Sequence, residues 1–306
     1  MEILNTRMLQ YKRNRVTGLA KYMDIILLNK KCIIYNKPLN EAKTIFINTR
    51  FKSTLINMFI DEILTELINP IILIIAGEDY TFPNNSDMRM NNHNNRKFQY
   101  KNLGKHIMIH KMFVENLEQC IYNAEPIPLG LNPRHCNLYL NYYLNYQNIN
   151  DSKPLLITNF NKCRNGKGQW SERKEVLILC NTYWKINCVN NTLIKNYKQY
   201  LYTLGSYMFT VCVHGGGLDV NPKLWEALLV GVIPIIRENK PYTDIYIKQN
   251  LPVVIVKKWN KYTITKKKLK RWYNQYYHYF TDKDKRNKLL NTLTLNYWVK
   301  YITKKQ

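Results

Sequence analysis

The sequence predicts an α/β fold in two lobes, and three observations carry that prediction. Short apolar, β-branched runs bounded by turn formers recur along the 306 residues, helical patterns lie between several of them, and a polar break interrupts the series near its middle. Continuous apolar runs suit strands buried on both faces of a parallel sheet. Their alternation with helices is the pattern of α/β architecture.

Taken in order, strands are expected at 71–76, 106–109, 155–159, 175–180, 209–213, 232–236 and 253–256. A helix is expected over 55–67, where Leu55, Ile56, Met58, Phe59, Ile63, Leu64 and Leu67 share one face, and another over 196–204. The Asn-rich stretch 84–97 reads as a loop. A second polar stretch, 145–153, separates two strand-rich halves and sets expected lobes of 1–150 and 151–306. The tail from 257 onward is basic, with two helices expected at 267–280 and 284–302. Trp272, Tyr276, Tyr277 and Phe280 recur there at the spacing of a core-facing stripe.

Hydrophobic residues make up 45% of the chain, enough apolar material to offset the entropy of folding, so disorder is excluded as the default state. A formal charge of +25 points to an anionic partner: a polynucleotide, a phosphorylated sugar or a membrane surface. Asn, Lys, Ile and Tyr are all abundant, so AT-rich codon usage accounts for part of that lysine. Seven cysteines without a CxxC pair fit neither a disulfide framework nor a zinc cluster. No apolar h-region follows the N-terminus, and Pro interrupts the longest apolar runs, so a cytoplasmic location is expected.

The most informative segment is 209–236, which parses as strand, glycine loop, helix and strand. Gly215, Gly216 and Gly217 admit backbone conformations closed to other residues. Asn221 suits an N-cap, Pro222 the first helical position, and Gly231 the helix end. Backbone amides at such a helix start, with Lys223 beside them, make an expected diphosphate cradle. The loop matches neither GxxxxGK[ST] nor GxGxxG. Glu226, one turn deeper, can accept two hydrogen bonds from a vicinal diol; its plainer role is a solvated helix residue or a partner for Lys223. His214 ends a strand where ligands of open α/β sheets gather.

A β-strand, a Gly-rich turn, Asp219, a basic residue, Trp225-Glu-Ala-Leu228 and then Gly231-Val-Ile-Pro-Ile235 resemble the C-terminal signature of exostosin-like glycosyltransferases, particularly those encoded by large DNA viruses. Further segments similar to that family follow in the right order: 74–83 with its acidic loop, 114–116 followed by 126–131, 157–160 with Arg173, and 251–256 with Trp259. Together they span roughly residues 70 to 265. The resemblance implies a GT-B fold: two Rossmann-like lobes, a cleft between them and C-terminal helices. It implies an acceptor-side first lobe and a second lobe that holds a nucleotide-sugar donor, with a glycan or glycoprotein as acceptor. Carried over by position, Glu226 would bind the donor ribose. Lys223, His214, Arg173 and the glycines Gly215, Gly216 and Gly217 would face the diphosphate, and Asp219 would belong to the donor-binding set. Where many members carry His-Arg, this chain has Val220-Asn-Pro-Lys223, and a lysine lacks the bidentate fork of arginine.

Sugar transfer needs charge stabilisation on the departing diphosphate and, for inversion, a base near the acceptor hydroxyl. Asp79, next to Glu78 in the loop after a first-lobe strand, is the candidate base. No cofactor or metal is implied. The only Asp-x-Asp, Asp282-Lys-Asp284, follows no strand and reads as a helix start rather than a metal site. The rival readings are a basic nucleic-acid-binding protein and a catalytically inactive sugar-binding scaffold of the same fold.

Overall fold

The computed structural model describes residues 2–4, 16–51, 53–84, 96–145, 153–161, 171–190, 194–215 and 217–304. Gly216, most of the Asn-rich loop and most of the mid-chain break lie outside the described residues.

The first half builds a six-stranded sheet in the order β2-β1-β3-β4-β5-β6. Its strands are β1 (Ile25–Asn29), β2 (Cys32–Tyr35), β3 (Thr44–Asn48), β4 (Ile71–Ala76), β5 (Ile109–Val114) and β6 (Ala124–Pro126). Only β2 is antiparallel, as the return arm of a hairpin with β1. From β3 to β6 the chain advances steadily across the sheet, so right-handed crossovers put those connections on one face. Those connections carry α1 (Ser53–Met58), continued by a π turn Phe59–Ile63, and α2 (Lys97–Asn102). The burial agrees: Leu55, Phe59, Tyr100 and Leu117 pack with Ile45, Ile47, Leu73 and Ile75. The alternate residues Phe46, Ile72, Ile74 and Phe113 face the other way, into a core continuous with the second half.

The second half opens with α3 (Cys136–Asn145) and forms a five-stranded, all-parallel sheet ordered β11-β10-β9-β7-β8. In chain order come β7 (Ile157–Asn159), α4 (Ser171–Asn181), β8 (Cys188–Asn190), α5 (Tyr197–Gly205), β9 (Phe209–Val211), α6 (Asn221–Leu229), β10 (Ile233–Arg237), α7 (Tyr242–Lys248) and β11 (Val254–Val256). The order reverses at β7, with β8 on one side and β9 on the other. That reversal makes a switch point of the kind that opens a crevice at the carboxyl edge of a sheet.

The tail forms α8 (Lys266–Tyr276), α9 (His278–Thr281), α10 (Lys283–Thr292) and α11 (Leu295–Thr303). The break at 293–294 splits the single helix expected over 284–302. Trp272 and Phe280 are buried, as their spacing predicts, whereas Tyr276 and Tyr277 are half-buried. Asp282 caps α10 by accepting from Lys285 N at 3.0 Å, which accounts for the Asp-x-Asp. Helix α11 crosses back to the open face of the first sheet, where the Tyr301 ring meets Phe113 edge-on at 6.1 Å. The stretch Glu2–Leu4 is pinned beside it: Leu4 N donates to Leu293 O, and Leu295 N donates to Glu2 O. Two cations, Arg286 of the tail and Lys153 before β7, cap the carbonyl end of α6 through Leu228, Leu229, Val230 and Gly231.

One expected strand is a helix. Residues 175–180 form the second half of α4, with Val176, Leu179 and Cys180 buried and Ile178 exposed. Burial there follows three- and four-residue steps, which a short apolar run does not distinguish from a strand. The strand expected at 106–109 starts only at Ile109 and runs to Val114.

Candidate functional site

At the switch point, residues that follow β7 and β9 meet the first turns of α4 and α6. This brings together Asn161 after β7, Glu172 and Arg173 on α4, His214 and Gly215 after β9, Lys223 on α6, and Arg237 and Asn239 at the end of β10. Glu172 organises the cluster from a buried position. Its carboxylate meets His214 Nδ1 at 2.8 Å, Arg237 Nη2 at 3.0 Å and Trp259 Nε1 at 2.5 Å. Burial works to raise this carboxyl, but the bonds from His214 and Trp259 and the charge of Arg237 outweigh it and hold it below the usual range. Asn239 Nδ2 lies 3.3 Å from His214 Nε2 and donates to Leu218 O. With Nδ1–H on the carboxylate and Nε2 accepting, the imidazole has one tautomer and one orientation. Arg173 Nε donates to His214 O at 3.1 Å. A Cβ on Gly215 would come within 3.1 Å of Arg173 Nη2, so a glycine there lets the guanidinium lie close to the loop.

The amide cradle expected at the start of α6 is corrected by the geometry. Asn221 has a positive φ of 60° and stands inside the helix rather than before it. Its N–H donates to Asp219 O, its Oδ1 accepts from Lys223 N at 2.8 Å, and its Nδ2 donates to Val213 O. Pro222 has no N–H to offer. The first amides are therefore satisfied within the chain. Lys223 is buried, 7% exposed, and its Nζ donates to Asn161 Oδ1 at 2.7 Å. Burial, helped by the charge of Arg173, pushes its ammonium down to about 8.

Glu226 is also not where the sequence puts it. Instead of facing an open diol site it is 4% exposed and enclosed by three tyrosines. Oε1 accepts from Tyr139 at 3.0 Å and from Tyr197, and Oε2 accepts from Tyr200 at 2.8 Å. His135 stacks on Tyr197 with ring centroids 3.5 Å apart and closes the outer side. Burial raises the Glu226 carboxyl above the usual range against the pull of the three hydroxyls and Lys223. Asp219 is likewise occupied: one oxygen accepts from Tyr246, the other from Leu129 N at 2.7 Å. It latches the loop to the first lobe instead of standing free for a ligand.

The glycine loop also joins the two sheets. Asn116, at the carboxyl end of β5, accepts from Leu218 N at 2.8 Å and donates to Glu78 O at 3.0 Å. A Cβ on Gly217 would lie 2.2 Å from Asn116 Oδ1, so that position requires glycine. Asp79 is half-buried in the same first-lobe loop, one residue beyond Glu78. The carboxyl edges of the two sheets thus face each other, joined through Asn116.

Residue patterns did not single out Glu172, Arg237 or Asn239, and Asn116 entered only as part of the family-like segment 114–116. Glu172 had one available signal, its place beside Arg173 and ahead of an apolar run. Arg237 ends β10, and Asn239 two residues later reads as a turn former. No family model matches the chain, and no curated protein matches it in sequence.

Proposed function

We propose that the chain is a glycosyltransferase of the GT-B arrangement, moving a sugar from a nucleotide-sugar donor to a glycan or protein acceptor without a metal. The observation that carries the reading is the meeting of two parallel-sheet carboxyl edges at one loop, with Arg173, Arg237 and His214 gathered at the switch point of the second sheet. In this reading the donor's diphosphate lies against the two guanidiniums, whose planar forks match phosphate oxygens. Each is already held, Arg237 by Glu172 and Arg173 by the His214 carbonyl, so little reorganisation is needed as charge develops. The acceptor oxygen forms its bond to the anomeric carbon as the bond to the diphosphate breaks. The electron pair leaves with the nucleoside diphosphate, and the hydroxyl proton passes to Asp79 on the facing lobe.

The ribose role of Glu226 is not carried forward, because its oxygens already accept three tyrosyl hydroxyls. The same saturation, with that of Asp219 and the α6 amides, favours a second reading: a scaffold of this fold that binds a sugar nucleotide without turnover. A melting screen against uridine and guanosine diphosphate sugars, coupled to detection of released nucleoside diphosphate, separates the two. A ligand at a hundredfold its Kd adds about 2.7 kcal/mol, a shift of several degrees. The transferase reading expects such a shift with slow donor hydrolysis, both lost in Arg237→Ala. A shift without release in any acceptor mixture supports the scaffold. No shift with any donor refutes both.

A further inference from the structure

Residues 257–271 carry eight lysines and arginines and no acid. Lys257, Lys258, Lys261, Lys266, Lys267 and Lys270 are exposed, and among the described residues none has a carboxylate within ion-pair distance. Lys268 instead donates to Tyr262 O at 2.7 Å and ties the start of α8 to the preceding loop. Among the described residues, then, no acid of the chain neutralises the cations of this corner.

A second exposed element sits against the same loop. Trp184 is buried, its Nε1 donates to Asn260 O at 3.1 Å, and its ring meets Trp259 at 6.0 Å. That anchor sets the turn after α4 beside residues 257–263. On its outer side Ile186 is 86% exposed and Tyr183 61%, while across the loop Tyr262 is 66% exposed. Lys185, exposed, lies between Tyr183 and Ile186 in sequence, and Lys261 lies 5.0 Å over the Tyr262 ring. The corner is thus an aliphatic tip with two tyrosines, surrounded by lysines.

We infer that this corner docks on an anionic lipid bilayer. Lysines contribute attraction to anionic headgroups, their long stems letting the ammonium stay at the surface while the methylenes pack below. Tyrosines prefer the headgroup level, and an isoleucine gains by entering the acyl boundary. A nucleic acid would satisfy the lysines and stack on the tyrosines, but it offers no partner for Ile186. Among the described residues no helix is long and apolar enough to cross a membrane, so the contact is peripheral. The inference stands apart from the proposed sugar transfer. The two are joined only through Trp259, whose ring lies in this loop and whose Nε1 holds Glu172.

The test is cosedimentation of the full chain with vesicles of phosphatidylcholine alone or with about a third phosphatidylserine, at physiological salt. The chain is expected on the anionic vesicles and not on the neutral ones. Lys257→Ala with Lys258→Ala should lower partitioning about 25-fold, near fivefold per lysine. Ile186→Asn should lower it about tenfold, leaving the melting temperature and the affinity for a single-stranded oligonucleotide unchanged. Failure to bind anionic vesicles overturns the inference, and so does vesicle binding indifferent to Ile186→Asn. Oligonucleotide binding without vesicle binding makes the corner a nucleic-acid face instead.

Discussion

Replacing Glu226 by alanine separates a structural carboxylate from a ligand-binding one. In the structure three tyrosyl hydroxyls converge on it, and truncation removes the acceptor from all of them. Tyr139 and Tyr197 are already 2.5 Å apart, oxygen to oxygen, so one of the pair keeps a partner and two hydroxyls are left unmet. Each unmet buried donor costs about 1–3 kcal/mol. The void left in the cage adds to this, and relief from burying a carboxylate whose titration is already raised subtracts from it. The net expectation is a loss of about 3–5 kcal/mol, a large fraction of the stability of an ordinary domain. Urea unfolding followed by circular dichroism measures it, with Tyr200→Phe as the milder variant, expected to lose about 1–2 kcal/mol. A loss under about 1 kcal/mol would refute the cage reading. If nucleotide-sugar binding vanished in the same stable variant, Glu226 would return to the role of a ribose ligand.

The remaining predictions concern the interlobe seat and a buried cation. Gly217→Ala puts a methyl 2.2 Å from Asn116 Oδ1 and displaces the loop from the first lobe. It should cost about 2 kcal/mol and raise protease sensitivity near residue 217, whereas an unchanged melting curve and digestion pattern would show that the seat is not needed. Lys153 is pushed down to about 7 by burial and by Arg286, from an ordinary 10.5. Between those values the unfolded chain binds the extra proton, so this group makes stability rise with pH, by at most about 1.4 kcal/mol per pH unit. Lys153→Met removes that contribution, so the stability of wild type relative to the variant should rise from about pH 7 to about pH 9 in urea titrations. A gap independent of pH would mean that Lys153 titrates alike folded and unfolded.

Local chemistry made part of this legible in the residues alone. The apolar runs at 71–76 and 209–213, the proline and glycine that bracket α6, and the stripe of Trp272 and Phe280 each depend on neighbours a few positions away, which is the range over which periodicity and capping act. Gly231, with φ 71°, ends α6 where a glycine was expected to. Where the local pattern allowed two periods, as at 175–180, only burial against the sheet chose the helix.

The site depended on distances that the chain covers through topology. Glu226 meets tyrosines 87, 29 and 26 residues away, and Glu172 meets partners 42, 65 and 87 residues away. The strand reversal at β7 brings α4 and α6 to one crevice, and α11 closes the face that one-sided crossovers leave open. Sequence by itself determined the strands β4, β7, β9, β10 and β11 and the ends of α6, because those choices rest on contacts within one turn or one pleat, whereas β1–β3, β6 and β8 carried no run that it picked out. Tertiary structure decided which polar groups remain for a ligand. A buried carboxylate takes whatever donors the packing brings within reach, and for Glu226 these were three hydroxyls rather than a sugar.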